Sequence, residues 1–125
     1  MDYLISPRAR ELLADILSTI TLELSPEDAH RWADKFHTSF QQLTSFPQLG
    51  PKVPHDCFVF IPPNADSLHQ LIIKCYRAIY EIVDDQICIL SVRHCRQLLR
   101  ETDTYWNDSP DEDLGADPDD LIYRS

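Results

Sequence analysis

The N-terminal half of the chain has two stretches with apolar side chains at helical spacing. The first stripe consists of Leu12, Leu13, Ile16, Leu17, Ile20 and Leu24. The second consists of Ala29, Trp32, Ala33, Phe36, Phe40 and Leu43. Side chains that recur every three or four residues lie along one side of an α-helix. The pattern therefore predicts two amphipathic helices, each with one buried face.

Both predicted helices begin with serine followed by proline. Ser6-Pro7 precedes the first stripe, after a short apolar segment that predicts a strand, and Ser25-Pro26 precedes the second. A serine at the N-cap accepts a free backbone N–H, and proline suits the first helical position because it has no N–H to leave unpaired. We expect some fraying near Thr19–Thr21, where β-branched residues cluster. The short link between the helices predicts an antiparallel hairpin.

The second half of the chain alternates between two faces instead. In one run Tyr76, Ala78, Tyr80 and Ile82 oppose Arg77, Ile79, Glu81 and Val83. In the next, Ile87, Ile89 and Ser91 oppose Cys88, Leu90 and Val92. Such alternation indicates half-buried β-strands. With a further strand predicted over Leu68–Lys74, the short connections favour a three-stranded antiparallel meander.

Asp84 and Asp85 separate the last two predicted strands. A two-residue type I′ turn needs a positive φ at both positions, which glycine and asparagine adopt most easily. Because neither residue is glycine, we expect a slightly longer loop from Val83 to Gln86.

Residues 51–66 contain an apolar run, Cys57–Ile61, with prolines on both sides. Prolines that flank a run without interrupting it permit either a short edge strand or a packed loop. The predicted fold is α+β, with one N-terminal strand, an antiparallel helix hairpin and a three-stranded antiparallel meander (β-α-α-β-β-β). The helices should pack on one side of a small twisted sheet.

The length of 125 residues indicates one domain with a single core. Acidity is concentrated at the C-terminus, since residues 101–125 hold nine acids and one arginine, whereas residues 1–100 have a net charge of only −2. We therefore predict a domain over residues 1–100 and an acidic C-terminal tail over residues 101–125.

No run of apolar residues is long enough to span a membrane, and no signal peptide is evident at the N-terminus. We expect a cytoplasmic protein without a membrane partner. The four cysteines lack C-x-x-C spacing, which favours free thiols over disulfides or a metal site. Neither a cofactor nor a metal is expected.

Basic side chains gather around the second predicted strand of the hairpin. In an antiparallel pair the beginning of one strand lies beside the end of its partner, so Arg77 should neighbour Arg93, His94 and Arg96. Arg100 follows shortly after. The sequence thus predicts a positive corner that attracts anionic groups on an otherwise acidic chain.

Five short motifs in this order resemble the ParE/RelE superfamily of bacterial type II toxin-antitoxin toxins, over about residues 3–100. The chain is more similar to the ParE branch, the plasmid stabilisation type. The motifs are Ile5-Ser6-Pro7-Arg8-Ala9, Ser25-Pro26-Glu27-Asp28-Ala29, Leu43-x-x-Phe46-Pro47-x-Leu49-Gly50, Tyr76-Arg77-x-x-Tyr80 and Val92-Arg93-His94-x-Arg96.

The resemblance implies a toxin that is bound and neutralised by a cognate antitoxin. In the ParE branch the target is DNA gyrase, whereas RelE-like members are endonucleases that cut messenger RNA on the ribosome. The residues expected to bind a target or antitoxin are Arg77, Tyr80, Arg93, His94, Arg96 and Arg100. If the chain were RelE-like, Arg77, His94 and Arg96 would be the catalytic residues.

Chemistry bears on the choice between these branches. Metal-free RNA cleavage needs a base, an acid and fixed positive charge near the phosphate. Arg77 and His94 could contribute, but the segment between Lys52 and Lys74 has no basic side chain. An acidic chain also opposes the phosphate attraction that dominates nucleic-acid binding. We therefore favour a ParE-like toxin, with a ribonuclease and a degenerate, non-toxic interaction domain as alternatives.

The same residues also permit purely structural roles. Arg77 could pair with Asp84 or Glu81, His94 could cap the last strand, and the remaining arginines could form a solvated face. Tyr76 and Tyr80 share one face, where packing against the helices is favoured over catalysis.

The acidic tail has two interpretations. It could be a solvating appendage, because Asp-rich segments bury too little surface to become ordered. Alternatively, Asp108 to Asp120 could lie across Arg77, Arg93, Arg96 and Arg100 and mask the positive corner. The anchors in that case would be Tyr105, Trp106, Leu121, Ile122 and Tyr123.

Overall fold

The computed structural model describes residues 2–106. Over this range the element order matches the predicted one. The strands and helices are β1 (Tyr3–Ile5), α1 (Pro7–Glu23), α2 (Pro26–Ser45), β2 (His69–Ile73), β3 (Tyr76–Val83) and β4 (Gln86–His94). Single turns of 3-10 helix span His55–Cys57, Ala65–Ser67 and Glu101–Asp103.

Both helices begin at the predicted serine caps. The Ser6 hydroxyl accepts the backbone N–H of Ala9 at 3.0 Å, and the Ser25 hydroxyl accepts that of Asp28 at 3.0 Å. The expected fraying of α1 is wrong, because the helix continues unbroken to Glu23. The Thr21 hydroxyl donates to the Leu17 carbonyl at 2.9 Å, so this β-branched side chain bonds back to the helix.

The strands of residues 2–106 form a four-stranded sheet in the order β1-β4-β3-β2. Strands β2, β3 and β4 form the predicted antiparallel meander. Strand β1 pairs parallel with β4, with Tyr3 opposite Ile87 and Ile5 opposite Ile89. The sheet is therefore mixed, because the helix hairpin carries the chain across one face before the meander begins.

The turn between β3 and β4 is shorter than expected. Val83 pairs directly with Gln86, and Asp84 and Asp85 have φ values of 50° and 63°. The prediction of a longer loop is wrong because aspartate tolerates the left-handed conformation that a two-residue turn requires.

A β-bulge in β4 changes which side chains share a face. Ile79 pairs with Ser91 but Tyr80 pairs with Ile89, so Leu90 is an extra residue. Ser91 therefore lies on the face of Arg93, and its predicted grouping with Ile87 and Ile89 is wrong.

The sheet is buried on both faces. On the helix side, Phe36, Phe40 and Leu43 of α2 pack against Tyr80, Ile89 and other residues of the sheet. On the other side, residues 51–66 form a packed loop instead of an edge strand. The buried residues there are Val53, Phe58, Ala65, Leu68, Ile79, Leu90 and Leu99. Because the 51–66 loop covers this face, few polar side chains on it can reach solvent.

No helix between residues 2 and 106 is long and apolar enough to cross a membrane. Cys57, Cys75, Cys88 and Cys95 all carry free thiols.

Candidate functional site

The predicted corner forms at the end of the sheet where β3 begins and β4 ends. Tyr76 is opposite His94, and Arg77 is opposite Arg93. The sequence-based expectation that Arg77 lies beside Arg93 is therefore confirmed. Their burial and hydrogen bonds decide what each can contact.

Arg77 is buried, with 7% of its surface exposed. Its Nη2 donates to the Cys95 carbonyl oxygen at 2.6 Å and its Nη1 to Gln70 Oε1 at 3.5 Å. Nε has no hydrogen-bond partner in the described part of the chain. The suggested pairing with Asp84 or Glu81 is thus replaced by bonds that join β3 to β2 and to the segment that follows β4.

Arg93 is also buried, beside the carboxylate of Asp103. Its Nε lies 3.1 and 3.2 Å from the two carboxylate oxygens, and Asp103 has no exposed surface. The carboxylate also accepts the Ser91 hydroxyl at 2.6 Å and the Arg100 backbone N–H at 2.9 Å. An acid that was assigned to the tail is therefore the buried counter-ion of a sheet arginine.

His94 is half-buried and its ring is already engaged. Nδ1 accepts the backbone N–H of Arg96 at 3.1 Å, and the ring meets Tyr76 edge-on with centroids 5.7 Å apart. Burial lowers the pKa of His94, and the charge of Arg96 lowers it further. Both effects favour the neutral imidazole, which agrees with Nδ1 acting as an acceptor.

Tyr80 does not reach the surface. The side chain is fully buried, and its hydroxyl donates to the Pro47 carbonyl at 2.7 Å and accepts the Gly50 N–H at 3.0 Å. Burial raises the pKa of Tyr80. A Cβ at position 50 would lie 2.3 Å from the Gln70 carbonyl oxygen, so only glycine fits there. The expectation that Tyr80 contacts a partner is corrected, because its phenol holds the loop that follows α2.

Two members of the predicted set retain access to solvent as cations. Arg96 is exposed and Arg100 is half-buried. The predicted set thus divides into buried side chains that shape the corner, Arg77, Tyr80 and Arg93, and more accessible ones, His94, Arg96 and Arg100.

A groove of about 710 Å³ lies along α2 near the same end of the sheet. Its floor includes the half-buried Trp32, whose ring packs edge-on against Tyr76 at 5.4 Å. The groove is lined by Asp28, Arg31, Trp32, Asp34, Lys35, Thr38, Ser39, Gln42 and Lys74. Lys74 lies in the two-residue turn between β2 and β3. Its φ of 58° is unfavourable for any residue other than glycine.

The groove contributes positive charge that the sequence-based list omits. Of its two acids, Asp28 is paired with Arg31, and Asp34 lies 3.7 Å from the His30 ring, a contact that is ionic only when the histidine is protonated. Within residues 2–106, Lys35 and Lys74 form no ion pair. The sequence could have indicated Lys74, because it lies three residues before Arg77. No local pattern in the sequence places Lys35 near Lys74.

The remaining reactive groups near the corner are the Cys95 thiol and any side chains that could hold a metal. Burial raises the pKa of the Cys95 thiol, and the charge of Arg77 opposes that effect, so Cys95 has less thiolate than an unperturbed cysteine and reacts more slowly. Among residues 2–106 no group of three or more His, Cys, Asp or Glu side chains is placed to hold a metal.

The predicted masking of the corner by Asp108–Asp120 lies outside the described residues, as do its anchors Leu121, Ile122 and Tyr123. The other two anchors, Tyr105 and Trp106, are exposed.

Comparison with known proteins gives one family and a structural relative. The family described as "ParE toxin of type II toxin-antitoxin system, parDE" matches residues 3–99. A solved structure of the chromosomal ParDE TA system from P. aeruginosa has a TM-score of 0.53 and 16% sequence identity. The similarity covers 75% of this chain and 95% of that one, and supports the same fold. No curated protein matches.

Proposed function

The chain belongs to the ParE toxin family of type II toxin-antitoxin systems, and from this premise we propose that it stops growth by binding a protein target. DNA gyrase is the target that the ParE branch implies. A cognate antitoxin would neutralise the toxin by binding it. Both proposed partners belong in the cytoplasm, which is the compartment that we propose for the toxin.

The burial of the two facing arginines carries this proposal. Arg77 and Arg93 are 7% and 4% exposed, and each is bonded to groups of the protein itself. A ribonuclease needs fixed positive charge that reaches the phosphate in the transition state. Neither guanidinium is accessible for that role, which argues against RNA cleavage.

The accessible positive groups support protein binding instead. Lys35 and Lys74 line the groove beside the indole of Trp32, and Arg96 is exposed at the corner. Aromatic side chains are enriched in protein interfaces, whereas lysines belong to the polar rim, where their charge attracts a partner of opposite sign. We propose that these groups bind an acidic surface of the target. In this proposal His94 and Arg100 contact it from the side, while Arg77, Tyr80 and Arg93 are positioning residues.

The proposal predicts growth arrest on induced expression in bacteria and rescue by coexpression of the antitoxin. The purified protein should inhibit DNA supercoiling by gyrase. The double variant Lys35→Glu/Lys74→Glu should inhibit supercoiling at least about tenfold less, because it reverses charge at the interface. Lys52→Glu is the matched control, since this exposed lysine lies outside the groove, and it should inhibit like the parent protein.

Two outcomes would favour the alternatives. Cuts in messenger RNA seen by primer extension, lost in His94→Gln or Arg96→Ala, would establish the ribonuclease. Unimpaired growth at high levels of folded protein, with the antitoxin still bound, would establish a non-toxic interaction domain.

A further inference from the structure

Cys75 and Cys95 occupy facing positions just beyond the paired ends of β3 and β4. The last pair in the register is Tyr76 with His94, and the next step places Cys75 opposite Cys95. The Cys95 backbone N–H donates to the Cys75 carbonyl oxygen at 2.8 Å, so the two backbones remain adjacent there. The antiparallel arrangement therefore extends to this cysteine pair.

This spacing suits a disulfide. Facing residues of antiparallel strands have Cα atoms about 4.5–5.5 Å apart, and disulfides bridge Cα separations of about 4.4–6.8 Å. Each cysteine is the residue next to a paired strand end, Cys75 directly before β3 and Cys95 directly after β4. The Cys75 thiol also acts electrostatically on the Cys95 thiol, consistent with their proximity.

The two thiols differ in access. Cys75 lies in the turn before β3 and is exposed, whereas Cys95 is half-buried. An oxidant in solution therefore reaches Cys75 more readily than Cys95. Burial raises the pKa of Cys95, which makes it the slower thiol to react with solvent.

We propose that Cys75 and Cys95 form a redox-active pair that small-molecule disulfides of the glutathione class oxidise to an intramolecular disulfide. The Cys75 thiolate attacks one sulfur of the oxidant, forms a mixed disulfide and releases one small thiol. The Cys95 thiolate then attacks the Cys75 sulfur and releases the second. The oxidant is reduced to two thiols, which take up the two protons that the cysteines lose.

The disulfide would join the β2–β3 turn to the segment that follows β4. That segment includes the Cys95 carbonyl, which accepts a hydrogen bond from Arg77. Cys75 is exposed, and exposed disulfides are among those that small thiols reduce readily. The pair is therefore a reversible modification site, and its existence does not depend on the proposed toxin activity.

The test uses the folded full chain and oxidised glutathione. The count of reactive thiols, measured after unfolding, should fall from four to two. The mass should decrease by about 2 Da for the two hydrogens lost. Proteolysis without reductant should give a single cross-linked peptide pair that contains Cys75 and Cys95, and reduced glutathione should restore all thiols.

Single variants separate this assignment from other pairings. Cys57→Ser is the matched control, because Cys57 also acts electrostatically on Cys95 yet lies on the 51–66 loop, and this variant should still form the disulfide. Cys95→Ser should stop at one glutathione attached to Cys75, and Cys75→Ser should form no intramolecular disulfide. A Cys57–Cys95 link, a disulfide between molecules, or thiols that stay at four would overturn the proposal.

Discussion

At the scale of single residues, the role of each basic side chain follows from what surrounds it. Arg93 and Arg96 are three positions apart, yet Arg93 is bonded to the buried Asp103 whereas Arg96 is exposed. A buried guanidinium without its carboxylate is strongly destabilising. The Arg93–Asp103 pair therefore stabilises the end of the sheet instead of presenting charge to a partner.

Replacing Asp103 by alanine should lower the free energy of unfolding by about 3–5 kcal/mol, because Arg93 would be left as an uncompensated buried charge. Denaturant unfolding measures the change. Glu101→Ala is the matched control, since this exposed acid in the same turn should alter stability by less than about 0.5 kcal/mol. Equal effects of the two substitutions would contradict a structural ion pair.

His94 should make the fold less stable in mild acid. Its pKa is lowered in the folded protein by burial and by Arg96, so the unfolded chain binds the proton more tightly. This loss of folding stability is absent above about pH 6.5, the usual pKa of histidine in an unfolded chain. It grows as the pH falls from there towards the lower pKa of His94 in the folded state. We expect His94→Gln to lose less stability than the parent protein between about pH 7.5 and 5, as measured by denaturant unfolding. An identical pH dependence would contradict this role.

At the scale of secondary structure, the two serine N-caps are expected to contribute differently to stability. Ser6 and Ser25 both cap helices, but the buried Ser6 hydroxyl also donates to the Leu90 carbonyl at 3.0 Å. Ser6 therefore joins α1 to β4 close to the bulge. Ser25 has no such link, since its hydroxyl bonds within its own first turn, to Asp28.

These two serines provide a matched pair of substitutions. Ser25→Ala should lower stability by about 1 kcal/mol, the usual effect of losing a helix cap. Ser6→Ala should have an effect larger by about 1–3 kcal/mol, because the buried Leu90 carbonyl also loses its donor. Thermal and denaturant unfolding of both variants measure the difference. Equal losses would show that the Leu90 contact contributes little.

At the scale of the whole molecule, the packed domain extends beyond the boundary predicted at residue 100. Asp103 and Thr104 are buried, and the Thr104 carbonyl accepts the Asn64 side-chain amide at 2.7 Å. Residues 101–104 therefore belong structurally with the sheet. An acidic tail stays a prediction for the positions that follow residue 106.

Two shortened chains test this boundary. A chain that ends at Arg100 lacks Asp103 and should be less stable than one that ends at Trp106, by at least the loss in Asp103→Ala. Thermal unfolding of both chains under the same conditions makes the comparison. Chains of equal stability would return the boundary to residue 100.

Local patterns in the sequence were sufficient for the elements and for the family. Helix periodicity, serine caps and strand alternation depend on residues within a few positions of each other, so they can be recognised without knowing the fold. The β-α-α-β-β-β order and the proximity of Arg77 to Arg93 followed from them. The five motifs indicated a ParE-like toxin, in agreement with the family match over residues 3–99.

Only the tertiary structure decided which of these residues are accessible. The hydroxyl of Tyr80 bonds to the backbone at position 50, thirty residues away, and Arg93 finds its carboxylate outside the strand. The groove places Lys35 of α2 near Lys74 of a distant turn. Such contacts depend on how the whole chain closes, and the bulge at Leu90 reverses the faces that simple alternation implies. Burial and pairing therefore had to come from the fold, because no local pattern encodes them.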